Sequence, residues 1–195
     1  LQAFAKRGHD TWTCDLLPAE HKNHLQCDIW EVANDRWDLG IFHPMCTYLT
    51  VSAAWAFKDP DYDKYPGVGY HQKIKPDTLV GEARRQARDA EILNFKRLDA
   101  LPYPHAIENP APSFISTAYR KPDQTIQPYV FGDTASKRTG LWLKGLPKLK
   151  PTNRFPGRQV QYGGKTVERW GNQTDSGQNS LPPSASRWLS RSKTY

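Results

Sequence analysis

Short blocks of apolar and polar residues alternate along the first 150 positions, and the period within each block points to an element. Residues 1–7 (LQAFAKR) carry their apolar positions at helical spacing, and Gly8 is a C-terminal stop. Residues 10–15 (DTWTCD) and 24–29 (HLQCDI) are rich in strand formers, and each run closes at an acid, Asp15 and Asp28. The stretch 16–23 between them predicts a loop or a short helix. A third strand, 36–42, ends in the apolar block Leu39–Phe42 and stops at His43-Pro44. Residues 50–57 predict a helical turn. Residues 58–78 form a long polar loop rich in Pro, Gly and Tyr, the length of a lid or a binding loop. Residues 79–98 repeat Ala, Arg, Ile, Leu and Phe at helical spacing and predict the main helix. A strand over 103–107 leads into Glu108-Asn109-Pro110. Two more strands, 125–131 and 139–143, flank a turn at 132–138. From Pro151 onward Gly, Pro, Ser, Asn and Gln dominate, with only weak structure signals.

Strands alternating with helices predict an α/β fold built on parallel strands. In such sheets chemistry gathers at the carboxyl edge of the strands. Three strand ends carry polar groups: Asp15, His43–Cys46 and Glu108–Asn109. The edge rule collects them in one crevice.

Composition narrows the class. The chain has 195 residues, 37% hydrophobic and 24% charged, which suits one domain with a core and a short tail. No apolar run reaches membrane-span length, and no signal peptide is visible. The three cysteines, Cys14, Cys27 and Cys46, are odd in number and lack metal-ligand spacing. A disulfide framework or a metal site is therefore not expected, and a reducing cytosol is the default compartment. Residues 133–195 hold 12 of the 27 Lys and Arg but three of the 20 Asp and Glu, a net of +9, and residues 1–132 carry the remaining −2. A basic final third suits a polyanion. A solvated tail explains the same charge. The chain opens on Leu1 with what reads as the end of a helix, so it is expected to start inside a fold.

Each candidate group has a plain reading beside its functional one. Asp15 and Asp28 at strand ends suit the ribose and adenine of a nucleotide, with the apolar Ile29 under the ring; as a turn, cap or strand-end acid each is equally ordinary. Cys46 follows the His-Pro break, where loop amides or a helix starting at Thr47 would lower its thiol; a lone cysteine is otherwise buried and inert. Glu108 ends an apolar strand, which raises a carboxyl and suits a general acid. Its alternative is a structural pair with Arg84 or Arg120, while Asn109 and Pro110 fix the turn. Together, a thiolate and a protonatable carboxyl can activate a pyrimidine. The thiolate adds to carbon 6, the carboxyl serves ring nitrogen 3, and carbon 5 becomes a nucleophile for a methyl sulfonium.

With that pair on the page, four segments resemble the cytosine carbon-5 DNA methyltransferases, more closely the compact phage and prophage members. HPMCTYL at 43–49 matches their His-Pro-Pro-Cys-Thr-Tyr-Leu, and IENP at 107–110 their Ile-Glu-Asn-Pro. PDQTIQPYVFG at 122–132 and KRTGLWLKGLP at 137–147 match two further runs in the same order. The opening AFAKRGHDTWTCDLLP is similar to the family's segment just after its cofactor loop. The similarity covers about residues 3–152 and resumes weakly at RWLSRSKTY.

The resemblance implies a Rossmann-like class I methyltransferase sheet with helices on both faces. Residues 1–150 would be its catalytic domain and 151–195 a basic extension. It implies Cys46 as nucleophile and Glu108 with Asn109 as its partners on the ring. Asp15, Leu16, Asp28, Ile29 and Pro44 would hold S-adenosyl-L-methionine. Gln127, Lys137, Arg138 and Lys144 would lie near DNA. The partner implied is double-stranded DNA with a flipped cytosine, with no metal and no membrane, in the cytoplasm of a bacterial or phage-infected cell. Met45 stands where the family has its second proline. The family's first strand, central in its sheet, and the loop that cradles the methionine part of the cofactor precede the matched opening. On that basis the chain is expected to bind the cofactor poorly. The region after Glu108 is too short for a large target-recognition domain, so modest sequence selectivity is expected. Two other readings remain: a methyltransferase-fold remnant that binds DNA, and a related pyrimidine modification with another substrate or transferred group.

Overall fold

The computed structural model describes residues 2–61, 63 and 77–179. Most of the expected 58–78 loop and the whole of RWLSRSKTY lie outside these residues. Among the described residues the architecture is mixed α/β, with eight strands in three small sheets.

Helix α1 (Gln2–Ala5) turns at Gly8, which has φ 85°. Strands β1 (Thr13–Asp15) and β2 (His24–Gln26) pair in parallel, Thr13 opposite His24 and Asp15 opposite Gln26. The sequence predicts that the second strand reaches Ile29, but it yields to helix α2 (Ile29–Val32). The reason is a capping box. The Asp28 carboxylate accepts the Trp30 N–H at 2.8 Å, and Glu31 accepts the Asp28 N–H at 3.1 Å.

The main sheet has the order β3-β4-β6-β5. Strand β3 (Gly40–Phe42) lies parallel to β4 (His105–Pro110), with Gly40 opposite His105 and Phe42 opposite Ile107. The chain crosses between them through a 3₁₀ segment, Val51–Phe57, and helix α3 (Gly81–Ala100). On the other side β6 (Thr139–Lys144) runs antiparallel to β4, and β5 (Gln124–Ile126) antiparallel to β6. Where the sequence predicts one sheet of parallel strands, the described strands form three separate sheets, of which the four-stranded one is mixed. Residues 127–138 between β5 and β6 hold no crossover helix, and the chain turns back so that β6 runs antiparallel to β5. The strand expected over 125–131 stops at Ile126. Pro128 has no N–H to give a ladder and opens a 3₁₀ turn, Pro128–Val130. Helix α3, at 20 residues, is the one described α-helix longer than four. No described helix is long and apolar enough to cross a membrane.

The α3 stripe Ile92, Phe95 and Leu98 packs with Phe42, Leu49, Tyr103, Ile107, Ile115 and Trp142 in one core. The Phe95 and Trp142 rings meet edge-on, centroids 5.0 Å apart, and the Trp142 indole donates to the Arg120 carbonyl at 3.0 Å. Strand β4 alternates: His105, Ile107 and Asn109 are buried, while Ala106, Glu108 and Pro110 are half-buried.

Past Pro151 the weak signals give way to a hairpin, β7 (Arg158–Tyr162) and β8 (Lys165–Arg169). Gly163 and Gly164, at φ 58° and 74°, supply the positive angles that a two-residue hairpin turn requires. The segment leans on the main body where Trp170 stacks on Tyr129, rings 3.8 Å apart and 12° from parallel.

Phe95→Ala should cost about 3–5 kcal/mol in urea denaturation, the range for deleting a buried aromatic. Leu93→Ala, on the exposed face of the same helix, should stay within about 0.5 kcal/mol.

Candidate functional site

Parallel pairing of β3 and β4 sends both chains out at the same edge. Beyond Phe42, Pro44 ends the strand, and the chain folds into a turn in which the Cys46 carbonyl accepts the N–H of Leu49 and of Thr50, both at 3.0 Å. No helix begins at Thr47; the next helical segment opens at Val51. Two side chains from other elements hold this turn. Arg84 of α3 donates to the Thr47 carbonyl at 3.0 Å and the Leu79 carbonyl at 3.2 Å. Asn109 of β4 donates to the Pro44 carbonyl at 3.2 Å. Asn109 is thus less a fixer of its own turn than a stitch between the two strand ends. Its Oδ1 is buried with no hydrogen-bond partner, a cost of about 1–3 kcal/mol unless a bound group or water donates to it.

Glu108 lies within β4 rather than beyond it and points to the opposite face from Asn109. Its Oε2 is 3.1 Å from His43 Nδ1, and its Oε1 is 3.2 Å from Lys137 Nζ. An ionised carboxylate only accepts, so Nδ1 is the donating nitrogen of His43. Neither of the arginines named as alternative partners reaches it. Arg84 holds backbone carbonyls, and Arg120 pairs with Asp99 at 2.7 Å and Asp123 at 2.8 Å.

The charge states differ from the sequence-based expectation. Burial pushes the Glu108 carboxyl up, but His43 and Lys137 outweigh it and hold it below the usual carboxylate range. Burial also pushes the Cys46 thiol up; Lys137 and a backbone amide pull it down, Glu108 pushes it up again, and the balance stays raised. The loop therefore supplies too few donors to make Cys46 a resting thiolate.

The nucleotide-binding candidates gather elsewhere, at the carboxyl end of the β1–β2 pair. Asp15 Oδ1 accepts the Leu17 N–H at 2.9 Å, a turn role, and Asp28 caps α2. Leu16 is exposed, and Ile29 packs on the core. Both acids serve their own turns, and the Asp28 carboxylate accepts the backbone N–H groups of Trp30 and Glu31. Pro44 sits at the other sheet, with its carbonyl taken by Asn109. All three cysteines are free, and the Sγ atoms of Cys14 and Cys27 lie 3.8 Å apart. Among the described residues no group of three or more His, Cys, Asp or Glu could hold a metal ion.

The DNA-contact candidates are dispersed. Gln127 accepts the Ser136 hydroxyl at 3.3 Å, and the Arg138 carbonyl accepts the Ala111 N–H at 2.9 Å. Lys137 turns inward to Glu108. Lys144 pairs in register with His105, at the amino end of β4, and its ammonium donates to the Leu101 carbonyl. At about 3.3 Å per residue the two ends of β6, Thr139 and Lys144, lie roughly 17 Å apart. Sequence reasoning placed His43 at the strand end without a partner, offered Arg84 as a partner of Glu108 rather than a clamp on the Thr47 carbonyl, and put Lys137 near DNA rather than on Glu108. An arginine inside the apolar stripe of α3 was the one visible hint.

No family model matches the chain, nor does any curated protein or solved structure.

The ionised Glu108 favours the native state above the ordinary carboxylate range and loses that contribution as pH falls through its own, lower value. Glu108→Gln should therefore destabilise more at pH 7 than at pH 3 in urea melts, and an equal loss at both would contradict the ion pairs.

Proposed function

We propose that the chain carries the catalytic centre of a cytosine carbon-5 DNA methyltransferase, with a Rossmann-like sheet as its framework. One observation carries the reading: a cysteine and a carboxylate, 62 positions apart in sequence, meet with a lysine and a histidine at the shared carboxyl edge of β3 and β4. Strand pairs β1–β2 and β3–β4 are both parallel, as an α/β framework requires, which supports the same reading.

In the proposed reaction a flipped cytosine enters the crevice and replaces His43, the more exposed of the two groups on Glu108 at 60% against 28% for Lys137. Losing that donor while water is excluded raises the proton affinity of Glu108, so the carboxyl can carry a proton to ring nitrogen 3. Cys46 passes its proton to the Glu108 oxygen that His43 has left, and this is the proton the carboxyl brings to ring nitrogen 3, while Sγ bonds to carbon 6 as the C5–C6 π pair moves to carbon 5. Lys137 balances the charge of the thiolate as it forms. S-adenosyl-L-methionine, when bound by Asp15 and Asp28, supplies the methyl group for carbon 5. A water molecule takes the carbon-5 proton, the freed C–H pair re-forms the C5–C6 double bond as the C6–S bond breaks, and the departing thiolate recovers its proton from nitrogen 3 through Glu108.

The raised Cys46 thiol also favours a second reading, a methyltransferase-fold remnant that binds DNA through its basic third. Transfer of labelled methyl groups to duplex DNA by the protein separates the two. The enzyme reading expects transfer that falls at least about a thousandfold in Cys46→Ser, the usual scale for losing a nucleophile. Undiminished transfer by Cys46→Ser overturns it. On either reading log affinity for DNA should fall with log salt at about −0.9 per neutralised phosphate, and a flat response in filter binding removes DNA as the partner.

A further inference from the structure

We propose that Asn172 is a positioning residue that sets Lys137 as the shared counter-ion of Cys46 and Glu108, which makes the C-terminal segment part of the reacting site. The side chain of Asn172 is 3% exposed and grips the backbone of Ser136 from both sides. Its Oδ1 accepts the Ser136 N–H at 2.8 Å, and its Nδ2 donates to the Ser136 carbonyl at 2.7 Å. This is the pairing a neighbouring strand would offer, supplied by one amide. Next to it, the Gly171 N–H donates to the Thr134 carbonyl at 2.9 Å, and Trp170 is anchored on Tyr129. The very next residue after Ser136 is Lys137, whose ammonium sits on Glu108 at 3.2 Å. A lysine has four side-chain torsions, so a fixed backbone origin is what restricts its reach to one place. Lys137 and Glu108 are the charged groups whose fields reach the Cys46 thiol, and His43 occupies the far oxygen of Glu108.

The inference rests on the reading of Cys46 as the reacting thiol, but its test follows thiol ionisation instead of methyl transfer, so each can fail alone. The rate of Cys46 alkylation by iodoacetamide is measured against pH, with Cys14 and Cys27 resolved by peptide mass spectrometry. Lys137→Met should move the profile to higher pH, slowing the reaction about three- to tenfold at fixed pH on the rising limb, where one pH unit is a factor of ten. Asn172→Ala should move it the same way, and should add nothing in the Lys137→Met background. Cys14 reports folding within the same samples: burial, chiefly, pushes its thiol up to about 11, and an unfolded chain would expose it as an ordinary, faster-reacting cysteine. If the alanine variant unfolds, Asn172→Ser, which retains one hydrogen-bonding group, takes its place with a smaller shift expected. A profile unmoved by a folded Asn172 variant, or by Lys137→Met, overturns the proposal. So does an Asn172 shift of equal size in the absence of the lysine.

Discussion

Strand β4 has a neighbour on each side, and the two pairings run in opposite senses. Its parallel partner β3 delivers the Cys46 turn to the carboxyl edge. Its antiparallel partner β6 begins at that same edge, so the residues before Thr139 arrive there too. The register of these two ladders therefore brings together groups from positions 43–46, 108–109 and 137. A one-residue slip of β4 would exchange the faces of Glu108 and Asn109, breaking the ion pairs and the stitch to Pro44 at once.

The two faces of β4 do different work. On the buried face Asn109 ties the strand to the Pro44 backbone, directly above Ile107 and the aromatic core. On the other face Glu108 sits between a histidine and a lysine. Burial alone would raise the Glu108 carboxyl, but His43 and Lys137 outweigh it and hold the group below the usual carboxylate range. Cys46 has the opposite balance, because one lysine shared with a carboxylate does not offset its burial. The resting site is therefore a protonated thiol beside an ionised carboxylate, and a ligand that displaces a partner of Glu108 would shift both.

Much of the main sheet was legible because it follows from local rules. The apolar block before His43-Pro44, the α3 repeat and the IENP run are signals that a chain carries within ten or twenty residues. The misses also have local causes that were visible and outweighed. The D-x-x-E spacing from Asp28 to Glu31 is a helix start, and it cut the second strand short. RQVQY and KTVER around Gly163-Gly164 alternate as a hairpin must, yet they were hidden in a segment whose composition suggests loops. The antiparallel placement of β6 was not legible in any single segment, since it depends on the short return from β5.

By itself, the sequence determined that β1 ends at Asp15 and β3 at Phe42, and that Asp28, Cys46, Glu108 and Asn109 are the chemical groups on or just past the strand segments. Such endings are set by proline breaks, turn formers and apolar period, all of them properties of neighbouring residues. Only the tertiary structure decided which groups meet and in what charge state. It drew Lys137 inward, sent Lys144 to the far edge, put His43 on Glu108 and set Asn172 behind Lys137. Those outcomes depend on ladder register and on the sum of burial and nearby charge, and both are fixed by residues distant in the chain.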